Sequence, residues 1–197
     1  MVEILFDLAG LFYRTESQKQ VVYDLQIGDE LKIKPDILNG NDDFALKIYS
    51  KGKFIGFVPK YLSREITFLL WRYKNYILEV DDYNSSTNIL YGDEEYCLTL
   101  KLSIDKSNAI QFSDEWYADK NFIIEGVFNQ TNKSDITYFI QKHNGIVKKV
   151  LTNSIDAVIL GRHHISVTRM NNIYKFTKQK LIIISEEEII QHFEKIY

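Results

Sequence analysis

Leu181-Ile182-Ile183-Ile184-Ser185-Glu186-Glu187-Glu188-Ile189 decides the fold of the C-terminal part of this chain. Four consecutive apolar residues without polar alternation describe a strand covered on both faces, the habit of a parallel sheet. Ser185 stands at an N-cap position, and the three glutamates after it complement the positive end of a helix dipole. Working outward, Ala157–Leu160, Ile146–Val150 and Phe122-Ile123-Ile124, the last ending at Gly126, read as three more apolar strands. Helices alternate with them. Ser134 or Asn132 can cap one that turns Ile136, Phe139 and Ile140 inward, with Gly145 at its C′ position, and a second spans about Met170–Lys178. Residues 121–197 are therefore expected to form an α/β domain with a parallel four-stranded sheet and three helices.

The period changes upstream. Val2–Leu8, Glu30–Lys34, Phe44–Tyr49, Phe54–Val58, Tyr76–Val80 and Tyr96–Ile104 read as short strands bounded by turn signals such as Ser50-Lys51-Gly52-Lys53. One helix stands out, Tyr61–Trp71 after Pro59, with Leu62, Ile66 and Leu69 on one face. Many short strands with one helix suggest a small all-β barrel over residues 1–105. Ser113-Asp114-Glu115 interrupts the pattern, so residues 106–120 read as a linker.

Composition narrows the classes. The chain has 197 residues, 45% of them hydrophobic, 26% charged and only two prolines, which excludes a disordered or collagen-like chain. The single cysteine, Cys97, excludes a disulfide framework and points to a reducing compartment, expected to be cytoplasmic. Four histidines give little basis for a structural zinc site, and neither metal nor cofactor is expected. No apolar run reaches the ~20 residues that span a bilayer, and the first residues lack the basic segment of a signal peptide. The Asn84, Asn129 and Asn132 sequons are read as chance matches.

The net charge of −3 hides a division. Lys32 to Lys74 holds nine basic residues against Asp36, Asp42, Asp43 and Glu65. Asn75 to Asp105 holds Lys101 against seven acids. Lys133 to Lys180 holds nine basic residues against Asp135 and Asp156. Two basic regions separated by an acidic one suit a polyanionic partner.

Leu8-Ala9-Gly10-Leu11-Phe12-Tyr13, Gly28-Asp29-Glu30-Leu31, the segment Asn39 to Ile48 and Gly52-Lys53-Phe54-Ile55-Gly56-Phe57-Val58-Pro59-Lys60 together resemble a HIRAN domain over roughly the first hundred residues. That resemblance implies an OB-like barrel of the kind found beside helicase and nuclease modules, one kind of which captures the 3′ end of single-stranded DNA. The matching pocket residues here are Tyr13, Asp42 and Lys60, with Phe57 beside them. An aromatic face stacks on a base, a lysine pairs with phosphate, and a carboxylate accepts from a terminal hydroxyl. Phe12, Asn41 and Phe44 depart from the family's Arg, Tyr and Asn, which favours general single-strand or end binding over strict 3′-hydroxyl recognition.

The strand and helix order of the second half, Asn144-Gly145-Ile146-Val147 at a Gly-Gly turn, and Ile182 to Ile189 resemble a BRCT domain, most nearly the bacterial DNA ligase form. The resemblance implies binding of phosphopeptides, DNA ends or other proteins, without chemistry of its own. Phosphopeptide recognition is not expected, because Glu125 precedes Gly126 where Ser or Thr belongs, and the position for a helix lysine falls on Met170–Asn172. DNA remains open through Lys148, Lys149, Arg162, Arg169 and Lys175.

Other constellations carry less. His163-His164 reads as polar loop, Asp81-Asp82 and Asp42-Asp43 as turn acids, Cys97 as an inert core thiol, and Trp71 as packing. The chain is thus read as a non-enzymatic DNA-binding adaptor for single strands or DNA ends in repair or replication. The alternative is a phosphate-independent module that docks a DNA repair protein.

Overall fold

The computed structural model describes residues 1–73, 75–87, 94–107, 112–177 and 181–194; side chains of 84–87, 94–96, 114, 177 and 194 are not part of that description. The expected helix end at Lys178, and Lys178 and Lys180 of the basic window, lie outside the described residues. The chain divides into two compact units, Met1–Asn108 and Ala109–Tyr197.

The first unit holds two three-stranded antiparallel sheets. One has β1 (Val2–Asp7), β6 (Glu94–Ile104) and β5 (Tyr76–Thr87) in the order β1-β6-β5; the other has β2 (Lys32–Pro35), β3 (Leu46–Ser50) and β4 (Lys53–Phe57) in sequence order. Alternation along β6 sends Leu98, Leu100, Leu102 and Ile104 into a core shared with Phe6, Ile48, Ile55 and Ile66. Cys97 is half-buried on the other parity of that strand, rather than the core thiol expected. The sheets meet twice. Ala9 and Phe57 exchange backbone hydrogen bonds of 2.9 Å, and Glu30 bridges Glu79 while the Leu31 N–H donates to the Leu78 carbonyl at 2.8 Å.

Helix α1 (Glu16–Tyr23) was not expected. Thr15 and Gln18 form a reciprocal capping box at its start, and Val22 is fully buried. The expected helix over Tyr61–Trp71 is α2 (Lys60–Arg72), with Trp71 packed edge-on to Phe68 at 5.7 Å.

The second unit is a four-stranded parallel sheet in the order β10-β9-β7-β8, from β7 (Asn121–Glu125), β8 (Ile146–Val147), β9 (Ala157–Leu160) and β10 (Ile182–Ser185). With it run α3 (Lys133–Lys142), α4 (Val167–Thr177) and α5 (Glu186–Glu194). Asn132 caps α3 by accepting from the Asp135 N–H at 2.9 Å. The left-handed residue after α3 is Asn144 (φ 60°), not Gly145 as expected. Gly145 is required for a different reason: a Cβ there would lie 2.5 Å from Ile140 Cγ2.

Much of the expected linker belongs to this unit. A 3-10 turn at Asp114–Tyr117 drives Tyr117 to full burial, its ring 5.7 Å from Phe122 and 5.1 Å from Phe139, with Phe112 and Trp116 alongside. Aromatic burial outweighs the polar Ser113-Asp114-Glu115 signal, and the core extends upstream of 121.

Candidate nucleic-acid interface

The two charge windows of the first half fall on different sheets. On β3, Leu46, Ile48 and Ser50 are buried while Lys47 and Tyr49 point the other way. Cross-strand partners share a face, and the register pairs Lys32 with Tyr49 and Lys34 with Lys47. It also pairs Tyr49 with Phe54 and Lys47 with Phe57. A regular strand would send Phe54 and Phe57, three apart, to opposite sides. The register shift at Ile48/Tyr49 leaves Ile55 in the core and brings both rings outward, edge to face at 5.0 Å. Gly56 lets the neighbouring chain close in: a Cβ there would stand 2.7 Å from the Ala9 carbonyl oxygen.

Cations cover these rings. The Arg14 guanidinium lies 4.5 Å from the Phe54 centroid and 5.8 Å from that of Phe57, its Nε donating to the Gly10 carbonyl at 3.0 Å. Lys34 stands 4.8 Å from Tyr49, and Lys47 is 5.4 Å from Phe54 while paired to Asp36 at 3.0 Å.

The β1-β6-β5 sheet shows the opposite charge. Opposite the apolar positions of its strands stand Glu3, Asp7, Glu79 and Asp81, with Lys101 bridging Glu79 at 2.8 Å and Asp81 at 3.7 Å. The Glu79 hydrogen bond, then its charge, holds the Lys101 ammonium above its usual range.

The expected pocket residues fall into three groupings. Asp42 Oδ2 accepts from buried Ser63 Oγ at 2.6 Å, and its Oδ1 accepts from the Phe44 N–H at 2.9 Å. Ser63 Oγ also bonds to the carbonyl of Lys60, whose side chain is exposed at the start of α2. Asp42 thus ties a turn to a helix. Tyr13, 79% exposed, meets Phe12 edge-on at 5.4 Å, whereas Phe57 joins Phe54 under Arg14. The tyrosine, lysine and arginine positions of the β2-β3-β4 face were missed as a set; only the shared register could have joined them.

In the second unit the parallel strands end at one edge, and charges alternate along it. In sheet order these are Glu186 after β10, Arg162 after β9, Glu125 at the end of β7 and Lys148 after β8. Glu186 is fully buried: Oε1 accepts from the Asn129 and Gln130 N–H groups at 2.7 Å each and from Thr131 at 3.3 Å. Arg162 pairs with Glu186 at 3.4 Å and also with Glu187. Arg169 pairs with Glu125 at 2.8 Å, so a cation does face the Glu125 position, one residue before the Met170–Asn172 window. Arg162 and Arg169 are therefore committed to carboxylates, while Lys148, Lys149 and Lys175 are exposed. His163 and His164 are exposed, their ring centroids 6.4 Å apart. Among the described residues no three of His, Cys, Asp and Glu gather as a metal site, and no helix is long and apolar enough to cross a membrane.

Residues 113–193 match the model of the BRCA1 C Terminus (BRCT) domain family, in agreement with the parallel sheet and helix order of the second unit. Among solved structures, the crystal structure of the HIRAN domain of human HLTF is similar at a TM-score of 0.39 and 13% identity, over 75% of this chain and 93% of that one. No curated protein matches the chain.

Proposed function

We propose that this chain is a non-enzymatic adaptor that binds single-stranded DNA or DNA ends through its first unit, within repair or replication. The two sheets, bridged at Ala9–Phe57 and Glu30–Glu79, then form an OB-like barrel of the HIRAN kind. The observation that carries the reading is the separation of charge within this unit: lysines and aromatic rings on β2-β3-β4, carboxylates on β1-β6-β5. Such polarity offers a polyanion one side and denies it the other. Titration of the full chain with single-stranded, blunt and recessed DNA tests it, and single strands should bind best. Because both Asp42 oxygens already serve Ser63 and Phe44, a 3′-hydroxyl and a 3′-phosphate should bind alike.

The ion pairs of the second unit favour a second role for that part, docking a repair protein without phosphate. Glu125 occupies the Arg169 guanidinium, and exposed Val127 and Val150 follow β7 and β8. A phosphoserine peptide should bind this unit no better than its unphosphorylated twin, measured by isothermal titration. Micromolar binding that requires the phosphate would contradict this.

A further inference from the structure

The geometry points to the outer face of β2-β3-β4 as a stacking platform for single-stranded nucleic acid, with the sugar-phosphate backbone along the β2 side and the bases over Tyr49, Phe54 and Phe57. This inference rests on the DNA-binding reading above and specifies where and how it happens.

Two rows cross the sheet. One runs Lys32, Tyr49, Phe54; the other runs Lys34, Lys47, Phe57. Each starts at an exposed lysine on β2 and ends at a ring on β4, so charge and aromaticity are graded across the strands rather than mixed. None of the three rings belongs to the apolar core of the unit. Their faces meet Arg14, Lys34 and Lys47 instead. A ring face covered by a cation on the solvent side accepts a base in exchange, and the displaced guanidinium or ammonium moves to the adjoining phosphate. The charge of the complex is conserved in that exchange, so removal of ring cover carries little electrostatic cost. The occupant is a single strand because a duplex keeps its base faces stacked inside, away from a protein ring. The carboxylates of the opposite sheet leave only this side attractive to phosphate.

The test is equilibrium binding of a fluorescent oligothymidylate to the full chain. Phe54→Leu keeps apolar bulk and removes the π face, and about tenfold weaker binding is expected, within the range of one lost base stack. Phe54→Tyr should bind as the wild type does. Tyr49→Ala should weaken binding comparably, and Tyr61→Ala, an aromatic 80% exposed on α2, should not. Wild-type binding that survives Phe54→Leu and Tyr49→Ala unchanged overturns the platform while leaving the DNA-binding reading intact. Failure of the wild type to bind overturns both.

Discussion

Replacing Glu186 with Ala should destabilise the second unit by about 3–5 kcal/mol, as removal of one partner from a buried charge network does. The residue is fully buried, and one of its carboxylate oxygens takes three successive backbone N–H groups, those of Asn129, Gln130 and Thr131. Alanine leaves these donors without their acceptor and removes the contact that fastens the loop after β7 to the start of α5. Loss of the Arg162 pair adds little, because that side chain is 35% exposed and water screens it. Glu186→Gln retains an acceptor oxygen and should cost roughly half as much. Urea denaturation followed by tyrosine and tryptophan fluorescence reads both values. Equal, small losses would mean that the loop holds itself.

Tyr117→Ala should be comparably severe, about 3–5 kcal/mol, the usual loss for a large buried aromatic. Its ring is fully buried against Phe122 and Phe139, and Trp116 lies 5.3 Å from it. The same contacts fix the working boundary of the second unit. A fragment of residues 109–197 should unfold cooperatively, and one of residues 121–197, which lacks Phe112, Trp116 and Tyr117, should not. A cooperative, stable 121–197 fragment would return the upstream segment to the status of a linker.

The parallel sheet was legible because its strands are continuous apolar runs, each self-sufficient as a signal: Ala157–Leu160 is observed with the bounds expected. Helix α2 was legible from the spacing of Leu62, Ile66 and Leu69 after Pro59. Helix α1 was not, since Val22 is its only fully buried residue among polar neighbours; the usable signal was local, the Thr15-x-x-Gln18 capping box. The linker reading failed where three charged or polar residues masked an aromatic cluster, Phe112, Trp116 and Tyr117. Site residues were harder still. Phe57 was singled out, yet its association with Phe54 depends on a bulge that only pairing with β3 creates. Arg162 and Arg169 read as available cations because their partners, Glu186 and Glu125, lie 24 and 44 residues away and become neighbours only through strand order. Charge windows survive such rearrangement when a whole sheet carries one sign, as β2-β3-β4 does, and fail when opposite signs alternate along one edge.

The salt dependence of oligothymidylate binding by the full chain tests the central claim most directly. For the wild type, log K should fall linearly with log salt, each neutralised phosphate contributing about −0.7 to the slope. Lys32→Glu with Lys34→Glu, both exposed on β2, should weaken binding and flatten the slope by at least that amount for each lysine in contact with phosphate. Lys148→Glu with Lys149→Glu, in the other unit, should change it less. A slope that is unaltered by the β2 pair and flattened by the Lys148 and Lys149 pair would contradict the account and place the nucleic-acid surface on the second unit.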